Sequence, residues 1–390
     1  MKNKKKKYGI RKFLNDVHLW LGLASGIILF LVCFSGTVLT FEKEIKNIFA
    51  DDFKVSGTQT MEIEALTEVL QQEGEVSSVS IPAEAGKSYE FRVKTSPEDR
   101  RGTTFYVDPY TGDYMQTKKS SLDDFFMWNF RMHRWLLLDS VIGRPIVGIA
   151  TIIFFILSLS GVVLWFPKKL KWKNMKSGFK IKTSANWKRI NHDLHNTLGF
   201  YACIVLVIMT LTGLFWSFEW YREAGSAVLG TKVFNRGGGP SFTSNENITD
   251  ADEASIASIY NISSEELNYE GTTTISFPSE REQVYKVRKT NDNGWSPVTS
   301  DQLEIDRDGT VLNKEIFSEK PLNVQVASLI KPIHTGEIFG TFSKIIYFLA
   351  CLIATTLPIT GTLIWLNKMK KKKPKNRARK QEERVKSVTE

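Results

Sequence analysis

The chain of 390 residues holds five histidines: His18, His133, His192, His195 and His334. Imidazole nitrogen is a common ligand of metal ions and of haem iron. Four of the five fall into pairs, because 177 residues separate His18 from His195 and 201 separate His133 from His334. Each stands at or just before a long apolar run. A porphyrin iron has two axial positions, and facing helices of a bundle can supply one imidazole to each. Two bis-histidine haems, one at each membrane face, would carry electrons across a layer that excludes ions. The chain has no Cys-x-x-Cys-His attachment motif, so the expected cofactor is non-covalent haem b, two per chain. A lone histidine at a membrane edge is ordinarily an interfacial polar residue. Four in paired positions favour ligation by His18, His195, His133 and His334. His192 has no such partner, its equivalent being Asn15. It is three residues before His195, so a helical His-x-x-His metal site is a secondary reading beside a plain loop-edge residue.

The elements that must position these residues are duplicated. Asp16 to Glu42 recurs as Asp193 to Glu219 at a constant offset of 177, without a gap. Asp16, His18, Leu21, Gly22, Leu29, Gly36, Phe41 and Glu42 land on Asp193, His195, Leu198, Gly199, Leu206, Gly213, Phe218 and Glu219. A second offset, 200, brings Arg144, Leu157, Gly161, Trp165 and Lys168 onto Lys344, Leu357, Gly361, Trp365 and Lys368. Matched polar and glycine positions mark an internal repeat. Each half reads as span, polar segment, span, so both halves have the same orientation and form parallel repeats about an axis along the membrane normal.

Four apolar runs, at about 19–41, 145–166, 197–218 and 341–366, reach the roughly 20 residues a helix needs to cross a bilayer. Residues 2–12 hold seven Lys/Arg and 167–192 hold nine, neither with an acid, while 367–390 hold eleven against three acids. Basic segments stay cytoplasmic. Both termini and the 167–192 loop are therefore expected inside, and 43–140 and 220–338 outside, in a multi-pass protein of the cell's inner (cytoplasmic) membrane. Because each basic run abuts a span, membrane lipid is the expected partner and nucleic acid is not. The first span lacks a small-residue cleavage site and is expected to be retained. Cys33, Cys203 and Cys351 all fall in apolar runs, so disulfides are not expected in the outer segments.

In the first outer segment, 61–72 reads as a short amphipathic helix and 76–82, 88–94 and 103–107 as strands, closing on the turn Asp108-Pro109-Tyr110-Thr111-Gly112. The second repeats the order, with a helix at 251–262, strands at 272–278, 283–288 and 301–305, and the turn Asp306-Arg307-Asp308-Gly309. Residues 235–247 read as a loop. Gly36, Gly161, Gly213 and Gly361 lie deeper in the spans, where they either admit a flat macrocycle or permit close helix packing. Arg134 and Arg144 outside, and Lys188 and Arg189 inside, are candidates for haem propionates or for lipid headgroups. Glu42 and Glu219 face three roles: substrate contact, metal binding or helix capping.

The run His18-Leu19-Trp20-Leu21-Gly22 with Ser35-Gly36, the turn Val107 to Gly112, and His133-Arg134-Trp135-Leu136 resemble the PepSY-associated transmembrane family over about residues 10–366. That family includes iron-regulated membrane proteins and siderophore reductases. The resemblance implies an α-helical membrane protein with four transmembrane helices and two extracytoplasmic α+β PepSY-like domains. It also implies haem-dependent reduction of a ferric siderophore or other ferric chelate at the outer face. The chain then divides into a basic N-terminus (1–17), helix one (18–42), a first PepSY-like domain (43–132), helix two with a preceding interfacial segment (133–166), a basic loop (167–192), helix three (193–219), a second PepSY-like domain (220–333), helix four with its preceding segment (334–366) and a basic tail (367–390). The Asp306 turn departs from the Asp-Pro-x-Thr-Gly pattern, which puts the second PepSY-like domain in question.

No Gly-rich dinucleotide motif is present, so electrons are expected from a quinol or a separate cytoplasmic reductase. A competing reading is a non-catalytic module whose outer domains bind or regulate a partner; it needs no paired histidines. A permease would want polar or broken helices at mid-membrane. The spans carry no internal charge, and Pro358 is their one late interruption.

Overall fold

The computed structural model describes residues 9–50, 53–96, 98–99, 102–234, 242–279, 283–291 and 294–386. Residues 2–8 of the basic N-terminus, 235–241 of the predicted loop and 387–390 of the tail lie outside the described residues.

In chain order the helices are α1 (Ile10–Leu39), α2 (Glu42–Ile48), α3 (Ile63–Gln71), α4 (Ser121–Trp135), α5 (Ser140–Trp165), α6 (Trp172–Met175), α7 (Trp187–Asp193), α8 (Gly199–Ser217), α9 (Glu219–Leu229), α10 (Ile256–Glu266), α11 (Leu322–Thr335) and α12 (Gly340–Lys386). The strands are β1 (Glu75–Ile81), β2 (Tyr89–Lys94), β3 (Thr103–Val107), β4 (Tyr114–Gln116), β5 (Thr273–Ser276), β6 (Tyr285–Thr290), β7 (Ser300–Ile305) and β8 (Val311–Glu315). Four stretches are long and apolar enough to cross a membrane: Ile10–Leu39, Ser140–Trp165, Trp187–Ser217 and Glu337–Lys370. The molecule is a helical, multi-pass membrane protein carrying a substantial β-sheet.

The four spans form a ring. α1 packs on α5 and α12, and α8 packs on the same two. Small residues let the backbones approach, and the shared interior is built from Leu29, Cys33, Ala150, Leu157, Leu206, Ala350 and Ala354. The three cysteines are buried here and unpaired. α12 runs unbroken through Pro358, which lies against Gly26 of α1. The third span changes character where α7 meets α8. Residues Leu194–Leu198 form a single π-helical turn, a local widening that often marks a functional position.

The two strand-bearing segments were expected as separate domains. They form one eight-stranded antiparallel sheet, in the order β4-β3-β2-β1-β5-β6-β7-β8. Each half contributes a four-stranded meander, and the halves join at β1 and β5. There Val79 opposes Ile275, and the Ser80 and Thr274 hydroxyls lie 2.8 Å apart. Alternation sends one face of the six inner strands to a single core, with Val79, Phe91, Val93, Phe105, Ile275, Val287, Leu303 and Ile305 buried. α3 and α10 close that core with Ile63, Leu66, Leu70 and Ile259. Each fully buried aliphatic or aromatic side chain of this kind contributes roughly 1.5–3 kcal/mol. The helices are tied together where Glu64 Oε1 accepts the Ala257 N–H at 2.8 Å.

The Asp306 turn, different in sequence, does the work of the Asp108 turn. Asp108 accepts N–H groups from Ser56 and Tyr110 at 3.0 and 2.8 Å. Asp306 accepts them from Asn245 and Arg307 at 3.1 and 2.8 Å, and accepts the Ser244 hydroxyl as well. Both carboxylates thereby catch the chain as it enters its half of the sheet. The following residue's carbonyl then accepts the N–H of the residue two positions before α3 or α10: Pro109 from Met61, Arg307 from Ala254, both at 2.7 Å. Both turns close on a left-handed glycine, Gly112 at φ 77° and Gly309 at φ 91°.

Candidate metal centre

α4 begins with a Ser120–Asp123 capping box. It ends at Leu136, where φ is 54°, and Asp139 then caps α5. This reversal brings the start of α5 so close to α4 that a Cβ on Gly143 would sit 2.1 Å from the Trp135 carbonyl oxygen. α11 ends in the same way at Gly336, with φ 80°. The two reversals set His133 and His334, near the ends of α4 and α11, into the bundle.

Their rings lie with centroids 6.3 Å apart. At the opposite end of the bundle the rings of His18, in α1, and His195, in the π-turn, are also 6.3 Å apart. All four candidates thus meet within one chain as two pairs. Along α1 the pairs are separated by the fourteen residues from His18 to Val32, about 21 Å at 1.5 Å per residue.

Every imidazole is held by its Nδ1. His133 Nδ1 lies 2.9 Å from the Val32 carbonyl, and His334 Nδ1 lies 3.1 Å from the Met209 carbonyl, the repeat equivalent of Val32. A carbonyl can only accept, so both rings carry the proton on Nδ1. His18 Nδ1 meets Ser160 Oγ at 2.9 Å, and His195 Nδ1 meets Thr360 Oγ1 at 2.9 Å. Those hydroxyls donate to backbone carbonyls of their own helices, Ser160 to Leu157 and Thr360 to Thr356 or Leu357, so each accepts from the histidine. In the neutral form of all four rings Nε2 is then the unprotonated nitrogen, the form that ligates a metal.

The deep glycines seat these rings. A Cβ on Gly36 would stand 3.1 Å from His133 Cε1, on Gly213 3.0 Å from His334, on Gly361 3.2 Å from His195 and on Gly161 3.5 Å from His18. Each therefore makes room for an imidazole from a neighbouring element, a more specific role than general helix packing.

The His18–His195 pair opens on a cavity of about 610 Å³ between the helices, apolar within and lined by Arg11, Lys12, Lys168 and Lys368. Lys188 and Arg189, the cations expected there, are not among its walls; Arg189 Nε pairs instead with the buried Asp193 at 2.8 Å. His192 lines the cavity with its Nδ1 3.6 Å from Asp193, and no group of three metal-ligating side chains forms among the described residues. The His133–His334 pair has a different wall. Trp216 lies 5.2 Å from the His334 ring, where the first half has Leu39. Arg134 lies over Phe130 and Trp135, and the Trp135 indole N–H is buried with no acceptor among the described residues. Arg144 is exposed at the head of α5.

Two other candidates have structural occupations. Glu42 opens α2 and pairs with Lys46, which also reaches Asp123 at 3.0 Å; Glu219 opens α9 and pairs with Arg222. Both sit where a carboxylate complements the positive end of a helix. Sequence reasoning missed Ser160, Thr360 and Thr212, the hydroxyl 3.0 Å from His334 Nδ1. The 160/360 match at the established offset was the available signal.

The residues fit a haem. Two imidazoles sharing one metal through bonds of about 2 Å hold their centroids roughly 6 Å apart, as both pairs do. The inner cavity falls in the range of small-molecule sites, about 300–1,000 Å³. Its apolar walls and cationic lining suit a macrocycle with carboxylate edges, and the Trp135 N–H, two residues from His133 and unbonded among the described residues, suits an anionic group.

A search of curated proteins finds no match to the chain. The family model described as the PepSY-associated TM region matches residues 16–368, nearly the whole length, and the chain belongs to that family.

Proposed function

We propose that this protein is a dihaem electron-transfer protein of the cytoplasmic membrane that reduces a ferric siderophore or other ferric chelate at the outer face. The observation that carries the reading is the double pairing of Nδ1-anchored histidines at the two ends of one bundle. His18 and His195 would hold one haem b, and His133 and His334 the other. When bound, haem supplies a one-electron couple.

The chain's own residues do the rest. Ser160, Thr360 and the Val32 and Met209 carbonyls keep each Nε2 unprotonated and the rings oriented, while the apolar spans exclude water between the pairs. Hard oxygen chelators hold ferric iron more tightly than ferrous, so one electron weakens the complex. With both termini in the cytoplasm, the inner pair faces a quinol or a separate reductase, and the sheet and outer pair face the chelate. The fused sheet is the feature that favours the second reading, a non-catalytic module for an extracytoplasmic partner.

A reduced-minus-oxidised spectrum and a pyridine haemochrome of the purified chain test the first reading. Two haems b per chain support it. No haem, in protein made with ample haem supply, leaves the partner-binding module.

A further inference from the structure

We propose that the two histidine pairs are tuned unequally: hydroxyl acceptors at Nδ1, Ser160 and Thr360, lower the inner haem's reduction potential less than the carbonyls lower the outer one's, and Lys168 and Lys368 raise it, so the inner haem has the higher potential. This rests on the dihaem reading above and concerns how the two centres divide the work.

The first observation is the kind of acceptor at Nδ1. The inner rings donate to hydroxyl oxygens, Ser160 and Thr360 at 2.9 Å each. The outer rings donate to peptide carbonyls, Val32 at 2.9 Å and Met209 at 3.1 Å, and His334 has the Thr212 hydroxyl in addition. A peptide carbonyl, polarised by amide resonance, is a stronger hydrogen-bond acceptor than an alcohol oxygen. A stronger acceptor pulls the Nδ1 proton further and makes Nε2 more basic, and a more basic ligand favours ferric over ferrous iron. The outer centre is lowered by this effect relative to the inner.

The second observation is charge. Arg11, Lys12, Lys168 and Lys368 line the inner cavity. Positive charge favours the state that has gained an electron, so Arg11, Lys168 and Lys368 raise the inner centre. Arg134 acts in the same sense at the outer pair but as one charge, stacked over Phe130 and Trp135. The neighbouring Lys344 is matched by Glu44 at 2.6 Å and adds no net charge. Both observations give the same order. A low-potential centre on the outer side is what reduction of tightly chelated ferric iron requires, because the chelator lowers the potential of the iron it holds.

Ser160 and Thr360 are positioning residues, and the test reads potential rather than turnover. In a spectroelectrochemical titration of the haem-loaded full chain, two waves are expected. The double variant Ser160→Ala/Thr360→Ala moves the upper wave further up and leaves the lower one in place, and the exchange Ser160→Thr/Thr360→Ser restores it. Lys168→Gln/Lys368→Gln moves the upper wave down. If the alanine variant instead loses its inner haem, disappearance of the upper wave gives the same assignment, and disappearance of the lower wave overturns it. A single wave for two bound haems, or an upper wave unmoved with both haems retained, also overturns it. A wild-type chain without haem fails earlier, in the haemochrome, and removes the dihaem reading with it; two haems at one potential remove this inference alone.

Discussion

His18 and His195 are 177 residues apart in the chain, yet their rings meet edge to face with centroids 6.3 Å apart. Each is pinned at Nδ1 by a hydroxyl from the span that follows in its own half, Ser160 or Thr360. Neither ring can turn without losing that bond. His18→Ala is expected to lower the haem count from two to one, His133→Ala to do the same, and the double variant to abolish binding. The haemochrome reads all three, and a His18→Ala chain that keeps both haems would sink the pairing.

The glycine seats make a sharper test because they leave the ligands in place. Gly213→Ala puts a methyl 3.0 Å from His334 Cε1, and Gly36→Ala one 3.1 Å from His133. Overpacking of this kind costs about 1–3 kcal/mol. On the proposed reading, either variant should perturb the spectrum of a haem held by His133 and His334 and lower the melting temperature. Gly26→Ala, which meets only Pro358 at 3.7 Å, is the control and should behave as wild type.

Asp306 gives the sheet an acid-sensitive turn. Burial raises its carboxyl, but hydrogen bonds from Ser244 and the Asn245 and Arg307 N–H groups, with the Arg307 guanidinium, bring it below its ordinary value of 3.8. A depressed carboxylate stabilises the fold above that ordinary value, and the contribution is lost as pH falls through the folded-state value. Stability followed from pH 7 to pH 3 should therefore drop at the acid end of the range. Asp306→Asn faces N–H donors with an amide that can turn an N–H toward them. It should cost about 1–3 kcal/mol at pH 7 and show a smaller acid drop.

Lys344 is buried and bound by the Glu44 carboxylate through 2.6 and 2.8 Å contacts, a clasp between α12 and α2 of the other half. Stranding a buried ammonium is costly, but the Glu44 side chain is still 42% exposed, which screens the pair. Glu44→Ala is expected to cost about 1 kcal/mol or somewhat more. Lys344→Met should cost less than Glu44→Ala, a ranking that thermal unfolding in detergent can check.

The spans, the four paired histidines and six of the eight strands could be read from the sequence, because each leaves a local pattern: an apolar run, a repeated offset or alternation. β4 and β8 were not, since Tyr114–Gln116 is three residues long and Val311–Glu315 mixes charge with apolar side chains. The β1–β5 seam was beyond reach for a different reason. On one face its partners, Ser78, Ser80, Thr274 and Ser276, are small and polar, and on the other Val79 and Ile275 point to the core as in any strand, so both strands look the same on a free edge as in the middle of a sheet. The π-turn around His195 was hidden because His18, its repeat partner, lies in an unbroken α-helix. Ser160 and Thr360 gave a matched pair of hydroxyls, but serine and threonine inside spans commonly bond their own helix, and nothing local pointed them at a histidine.

Each histidine pair takes one member from each half. One repeat alone therefore carries one ligand at each end and completes neither centre. Two copies of a single repeat, related by a twofold axis along the bundle and joined edge to edge through β1, would complete both at once. The architecture is that of a symmetric dimer whose subunits have been fused into one polypeptide. Fusion fixes the stoichiometry of the partners and frees the two sides of each centre to diverge. Trp216 opposite Leu39, Thr212 opposite Ser35, and the π-turn in only one of two matching helices show where that freedom has been used.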